Sequence, residues 1–176
     1  MINKNQGGFS LIELLVVLAI TGLIGTGITM SISQVVNANR QVSSHMIAIT
    51  QVENAGYWIT HDAEMAQSII ADTEALTLAW VGWEYESAGN TCIDTYEVCY
   101  THTDSELWRH QTITTDKYDS SGHLVETGLS QNSMLVAEHI TAITPSMVVN
   151  KLTVPITASV GEIEEERTYE ITPRPN

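Results

Sequence analysis

A stretch of 26 consecutive uncharged residues, Leu14 to Asn39, constrains the fold of this chain more than any other feature. Its apolar portion, Leu14 to Met30, is long enough to approach the roughly 30 Å of a bilayer hydrocarbon core at about 1.5 Å per helical residue, and the Thr and Ser residues that follow extend it. The stretch is therefore predicted to be a membrane-type helix.

An acid, Glu13, stands at the start of this apolar stretch, five residues after the pair Gly7-Gly8. A carboxylate at the centre of a bilayer costs about 2.5–3.5 kcal/mol on insertion scales. Glu13 is thus expected either to have a partner or to lie close to the aqueous interface. A secretory signal peptide would have a shorter apolar core followed by small residues, whereas here the small pair precedes the core.

The segment KNQGG followed by FSLIELLVVLAITGLI resembles the class III signal of type IV pilins and type II secretion pseudopilins. The resemblance covers about residues 4–30. It implies that prepilin peptidase cuts between Gly8 and Phe9 and methylates the new amine of Phe9. It also implies that Glu13 acts in assembly by pairing with the terminal amine of a neighbouring pilin or pseudopilin subunit.

Beyond Ser33 the apolar residues recur in steps of three and four, which is the period of a helix that buries one stripe. The stripe consists of Val42, Met46, Ile49, Val52, Gly56, Ile59, Ala63, Ala66 and Ile70. Because no proline interrupts residues 9–72, one helix of about 60 residues is predicted. The domain boundaries follow: a leader at 1–8, a hydrophobic helix at 9–36, its amphipathic continuation at 37–72, and a β-rich head at 73–176.

The head sequence is rich in β-formers separated by turn residues, and it predicts an antiparallel sheet of about five to seven strands. A hairpin is expected around residues 103–105, a turn at 119–122, and another at Gly161. The predicted fold class is therefore α+β, with a long N-terminal helical spine packed on a C-terminal antiparallel sheet. Trp58, Trp80, Trp83 and Trp108 are expected to fill the space between spine and sheet, with an exposed aromatic recognition surface as the alternative.

The chain has a net charge of −14, from 21 acids and seven scattered bases. Without a basic patch to displace counterions, nucleic-acid binding is not expected. Two cysteines, Cys92 and Cys99, lie in a polar, turn-rich stretch and favour a short disulfide-closed loop, and with it an oxidising compartment outside the cytoplasm. Two free thiols are the alternative, and a zinc site is disfavoured because the CxxC spacing is missing.

Catalytic and metal motifs are missing from the sequence, which predicts no enzyme activity and no required cofactor. His61, Asp62 and Glu64 are interpreted as a solvated charged face of the helix. Asp116 and Asp119 offer carboxylate oxygens within TDKYDSSG and are weak calcium candidates, although a β-turn explains the same residues.

Together these features predict a structural subunit of a type IV pilus or a type II secretion pseudopilus. The subunit would lie in the bacterial cytoplasmic membrane as a single-pass protein with its head outside, before joining the filament. A monomeric, signal-anchored binding protein with an extracytoplasmic head is the alternative. The sequence leaves open which filament it joins, whether the subunit is major or minor, what its head binds, and whether the central helix melts on assembly.

Overall fold

A computed structural model describes residues 10–72 and 75–173 of the chain. They form one helix and ten strands, so the α+β class is confirmed. The elements are α1 (Leu11–Met65), β1 (Ser68–Ala71), β2 (Ala75–Val81), β3 (Tyr85–Ser87), β4 (Asn90–Thr103), β5 (Glu106–Tyr118), β6 (Leu124–Ala137), β7 (Ile140–Ile143), β8 (Ser146–Val148), β9 (Lys151–Val160) and β10 (Ile163–Ile171).

The described residues divide into two units, one up to Ser43 and one from Ser44 onward, and α1 contributes to both. The helix ends at Met65, earlier than the predicted continuation to residue 72. Residues Ser68–Ala71 instead form β1, which pairs with β2. The predicted helix end was wrong because the apolar pattern continues through Ile69 and Ile70. Both residues are β-branched and suit a strand as well as a helix, so the pattern alone does not distinguish the two.

The second unit uses the C-terminal end of α1 as a core helix. Seven of its residues are buried: Ala48, Val52, Ala55, Gly56, Ile59, Asp62 and Ala63. Four of them belong to the predicted stripe, while Val42 and Met46 of that stripe are exposed. The helix therefore buries its face only from about Ala48 onward.

The strands of the described residues form two antiparallel sheets rather than the single sheet predicted. The first has the order β1-β2-β4-β5-β6, with β3 also paired to β4. The second has the order β10-β9-β7, with β8 also paired to β9. The predicted hairpin is confirmed, since Thr103 pairs with Glu106 across Asp104 and Ser105, whose φ angles of 52° and 65° are those of a tight type I′ turn.

The core of the second unit is formed by α1 and by both sheets. In β2 and β9 buried residues alternate with more exposed ones, as expected for strands that cover a core on one face. The helix approaches β10 closely at Gly56, where an added Cβ atom would collide with the ring of Tyr169. The hydroxyl of Tyr169 also donates a hydrogen bond of 3.1 Å to the carbonyl oxygen of Val52.

Candidate assembly site

The helix residues of the first unit form a continuous apolar surface that is exposed. Every side chain of α1 from Leu11 to Ser43 is exposed, including large ones such as Leu11 at 81% and Leu23 at 73%. This is the one helix of the described residues whose length and composition suffice to cross a membrane. Because an exposed apolar surface of this extent is unfavourable in water, it indicates contact with lipid or with other helices.

Glu13 lies in the first turn of α1 and is exposed. Its backbone N–H donates a hydrogen bond of 3.0 Å to the carbonyl oxygen of Ser10. Among residues 10–72 and 75–173, no basic side chain forms an ion pair with its carboxylate. The carboxylate is therefore available for a partner, and at a helix N-terminus it also interacts favourably with the helix dipole. The predicted cleavage and methylation positions, Gly8 and Phe9, lie outside the described residues.

Between Thr21 and Ser33, five hydroxyl groups interrupt the apolar surface, and each donates a hydrogen bond to a backbone carbonyl about one turn earlier in the helix. The donors are Thr21, Thr26, Thr29, Ser31 and Ser33, with donor–acceptor distances of 2.7–3.0 Å. In hydrocarbon an unsatisfied hydroxyl would be costly, and these internal bonds remove that cost. The segment is thus compatible with an apolar environment despite its polar residues.

Gly22, Gly25 and Gly27 lie between these hydroxyls. A Cβ atom added to any of the three would have no neighbour within 4 Å. No contact within the described chain therefore requires a glycine at these positions, in contrast to Gly56. Small residues on a membrane helix allow the backbones of adjacent helices to approach each other closely.

In the head, Asp62 does not belong to a solvated face as predicted, because its side chain is completely buried. Its carboxylate accepts two hydrogen bonds from the Arg109 guanidinium, at 2.7 and 3.0 Å, and one from the Tyr100 hydroxyl. His61 and Glu64 are exposed, as predicted. The sequence contained a signal for Asp62, which lies three residues after Ile59 and four before Ala66, in phase with the buried stripe.

The environment of this cluster changes the acidity of its members. Burial raises the pKa of Tyr100, and the nearby Asp62 carboxylate raises it further. Burial acts to lower the pKa of Arg109, but its hydrogen bond to Asp62 and the charge of that carboxylate raise the pKa above the ordinary value. The cluster therefore joins α1 to β4 and β5 through an ionised pair and a neutral phenol.

The predicted disulfide between Cys92 and Cys99 does not form. Both cysteines are free and lie on the single continuous strand β4. Seven residue steps of extended chain place their Cα atoms about 23 Å apart, whereas a disulfide requires Cα atoms within about 7 Å. The polar residues between them form a strand rather than a loop, so the cysteines give no support for an oxidising compartment.

The two weak calcium candidates already have protein partners. Asp116 accepts a hydrogen bond of 2.7 Å from Thr127 across the β5–β6 pair. Asp119 accepts bonds from the backbone N–H groups of His123 and Ser121, which lower its pKa and organise the turn predicted at this point. Residues 10–72 and 75–173 contain no group of three or more His, Cys, Asp or Glu side chains arranged to hold a metal ion.

The four tryptophans do not all fill the core as predicted. Trp80 belongs to the core, and Trp58 packs against it. Trp108 is half-buried and donates a hydrogen bond to Glu106. Trp83 is 90% exposed, so the prediction was wrong for this residue.

Comparison with protein families identifies residues 3–29 as a prokaryotic N-terminal methylation motif. This motif is typical of type IV pilin and pseudopilin prepilins, and its position agrees with the resemblance of the N-terminal segment. Comparisons with curated proteins and with solved structures found no match. The motif together with the long apolar helix is consistent with anchoring in a membrane.

Proposed function

We propose that this chain is a structural subunit of a type IV pilus or a type II secretion pseudopilus. Prepilin peptidase removes residues 1–8, Phe9 becomes the methylated N-terminus, and the subunit joins a filament through the apolar half of α1. The observation that carries this proposal is the methylation motif at residues 3–29, which overlaps the first part of a helix with an exposed apolar surface.

The charges of the processed segment support an assembly role for Glu13. Cleavage after Gly8 removes Lys4, so the remaining charges before Arg40 are the new ammonium of Phe9 and the carboxylate of Glu13. In hydrocarbon or in a dry helix bundle each charge is costly alone, and pairing with the other reduces that cost. In a filament of staggered helices, Glu13 of one subunit neutralises the terminal ammonium of its neighbour.

The mass of the mature chain tests the processing step. In cells with an active prepilin peptidase, the purified chain should begin at Phe9 and carry one added methyl group. The matched control is the same chain expressed without the peptidase, which should retain residues 1–8. An intact N-terminus in the presence of the peptidase would favour a signal-anchored monomeric binding protein instead.

Glu13→Ala tests the assembly step. This variant should insert into the membrane normally, since a charge is removed, but it should enter filaments poorly or lack N-terminal methylation. Glu64→Ala is the control, because this acid lies on the same helix but in the second unit and is exposed. Normal methylation and normal incorporation of Glu13→Ala into sheared filaments would contradict the pairing role.

A further inference from the structure

The head contains a cavity of about 440 Å³ near the C-terminal end of α1. Its walls combine aromatic rings and side-chain amides from several elements. Six of the lining residues are Trp58, Trp80, Trp83, Tyr96, Gln67 and Gln111. A cavity of this size, with aromatic walls and a few polar groups, has the character of a small-molecule binding site.

The aromatic residues present ring faces at fixed positions. Trp80 and Tyr96 stack with their ring centroids 5.3 Å apart and an angle of 6° between the planes. Trp83 also lines the cavity and is 90% exposed, although burying an indole is normally favourable. An indole that lines the same cavity as these two rings and that the fold leaves uncovered is suited to contact a ligand.

The backbone next to Trp83 is held in place. The N–H of Gly82 donates a hydrogen bond of 2.7 Å to the carbonyl oxygen of Asp94. A Cβ atom at this position would come within 2.9 Å of the Tyr96 ring, so glycine permits the close approach. The exposed indole therefore extends from an anchored segment rather than from a free loop.

The polar groups of the cavity are partly engaged with the protein. The side-chain oxygen of Gln111 accepts a hydrogen bond from Arg109 at 3.1 Å, and that of Gln67 accepts one from the backbone N–H of Val81 at 3.3 Å. Each amide is thereby oriented, and its NH₂ group is the end that can donate to a ligand. Oriented donors beside aromatic faces suit a ligand with hydroxyl or carbonyl acceptors.

The charges that line the cavity cancel each other. Asp62 and Arg109 form a buried ion pair at 2.7 Å, and the guanidinium also lies 5.4 Å from the centre of the Trp58 ring. An anionic ligand would find the Arg109 charge already neutralised. A cationic ligand would compete with Arg109 for the face of Trp58. The site therefore suits an uncharged ligand, even though the protein carries a net charge of −14.

We propose that this cavity binds a neutral saccharide, with one face of a sugar ring packed on Trp83 and its hydroxyls bonded to Gln67 and Gln111. The C–H groups on one face of a pyranose ring form an apolar surface that matches an aromatic ring, while its hydroxyls accept and donate hydrogen bonds at the edge. The site goes beyond the assembly function and does not depend on it.

The test uses the full chain in a polyoxyethylene detergent, whose head group carries neither a sugar nor an ammonium. Maltose, lactose, cellobiose and diacetylchitobiose are titrated by calorimetry, and contact is confirmed by saturation-transfer NMR of the sugar signals. Binding of at least one disaccharide is expected. Trp83→Ala should weaken that binding by about tenfold, the effect of losing one well-packed aromatic contact.

Tyr85→Ala is the matched control, since this ring is also exposed and lies two residues away but outside the cavity lining. It should leave the affinity unchanged, and both variants should unfold at the same temperature as the parent chain. The proposal is overturned if none of the four disaccharides binds, or if Trp83→Ala binds as tightly as the parent. Binding of tetramethylammonium, with none of the four sugars bound, would identify a cation site instead.

Discussion

The N-terminal segment of α1, Leu11–Ser43, and its C-terminal segment, Ser44–Met65, share one continuous helical backbone but differ in what surrounds them. In the N-terminal segment every side chain is exposed, and apolar residues occur around the whole helix. The C-terminal segment buries one face against the sheets of the same chain and carries polar residues on the other. The C-terminal segment therefore obtains its stabilising contacts within the chain, whereas the N-terminal segment must obtain them from lipid or from other helices.

This contrast predicts that substitutions in the two segments will change different properties of the protein. Changes in the C-terminal segment should lower the stability of the head without requiring a partner. Changes in the N-terminal segment should leave the head intact and alter only insertion or assembly.

The largest expected effect is at the buried ion pair. Asp62→Ala leaves the Arg109 guanidinium buried without its counter-charge, which should cost about 3–5 kcal/mol in the free energy of unfolding. Denaturant unfolding of the full chain in detergent, followed by near-UV circular dichroism, measures the loss. Glu64→Ala, an exposed acid on the same helix, should change stability by less than about 0.5 kcal/mol. Equal effects of the two substitutions would show that Asp62 is not buried as described.

A glycine-to-alanine pair compares the two segments directly. Gly56→Ala places a methyl group against the Tyr169 ring and should destabilise the head by about 1–3 kcal/mol, as overpacked cores do. Gly25→Ala meets no neighbour and should leave head unfolding unchanged, while favouring the helix locally by up to about 1 kcal/mol. Thermal unfolding of both variants makes the comparison.

A double variant tests whether the clash with Tyr169 causes the effect of Gly56→Ala. Adding Tyr169→Ala to Gly56→Ala removes the ring, so the double variant should lose less stability than the sum of the two single changes. Strict additivity would mean that the methyl group and the ring do not meet.

The smallest expected effect is a pH dependence. The pKa of Tyr100 is raised above its ordinary value of 10.0 in the folded state, so the fold favours the neutral phenol. Its stabilising contribution is complete below pH 10 and is lost as the pH rises, by about 1 kcal/mol between pH 10 and 11. Denaturant unfolding across this range should show a shallower loss in Tyr100→Phe than in the control Tyr57→Phe, whose ring is exposed. Identical slopes in both variants would contradict the role of the buried phenol.

Much of the fold could be predicted because it depends on local patterns. The uninterrupted helix, the hairpin at Asp104 and the turn at Gly122 each follow from periodicity or turn chemistry. The end of α1 could not be predicted, because β-branched residues after Met65 fit either a helix or a strand and pairing with β2 decides between them. The second sheet likewise depends on contacts between distant strands, which local patterns do not encode.

The candidate site residues likewise fall into those that local sequence patterns indicate and those that depend on contacts between distant strands. Glu13 and the predicted cleavage position lie in one contiguous motif, so the sequence alone is enough to propose them. The partners of Asp62 could not, because Tyr100 and Arg109 are brought to it by the pairing of β4 with β5. The disulfide prediction failed for a related reason. The polar, turn-rich stretch that holds Cys92 and Cys99 forms one long strand rather than a loop.

The hydroxyl groups in the N-terminal segment of α1 affect which neighbouring helices this segment can pack against. Because Thr21, Thr26, Thr29, Ser31 and Ser33 donate their O–H groups to the backbone of their own helix, these protons are not available as donors to a neighbouring helix. In the filament proposed above, contacts along this surface are non-directional, and Glu13 supplies the charged contact. A surface without free donors does not require a matching acceptor on its neighbour, so in the proposed filament it can pack against helices of different sequence.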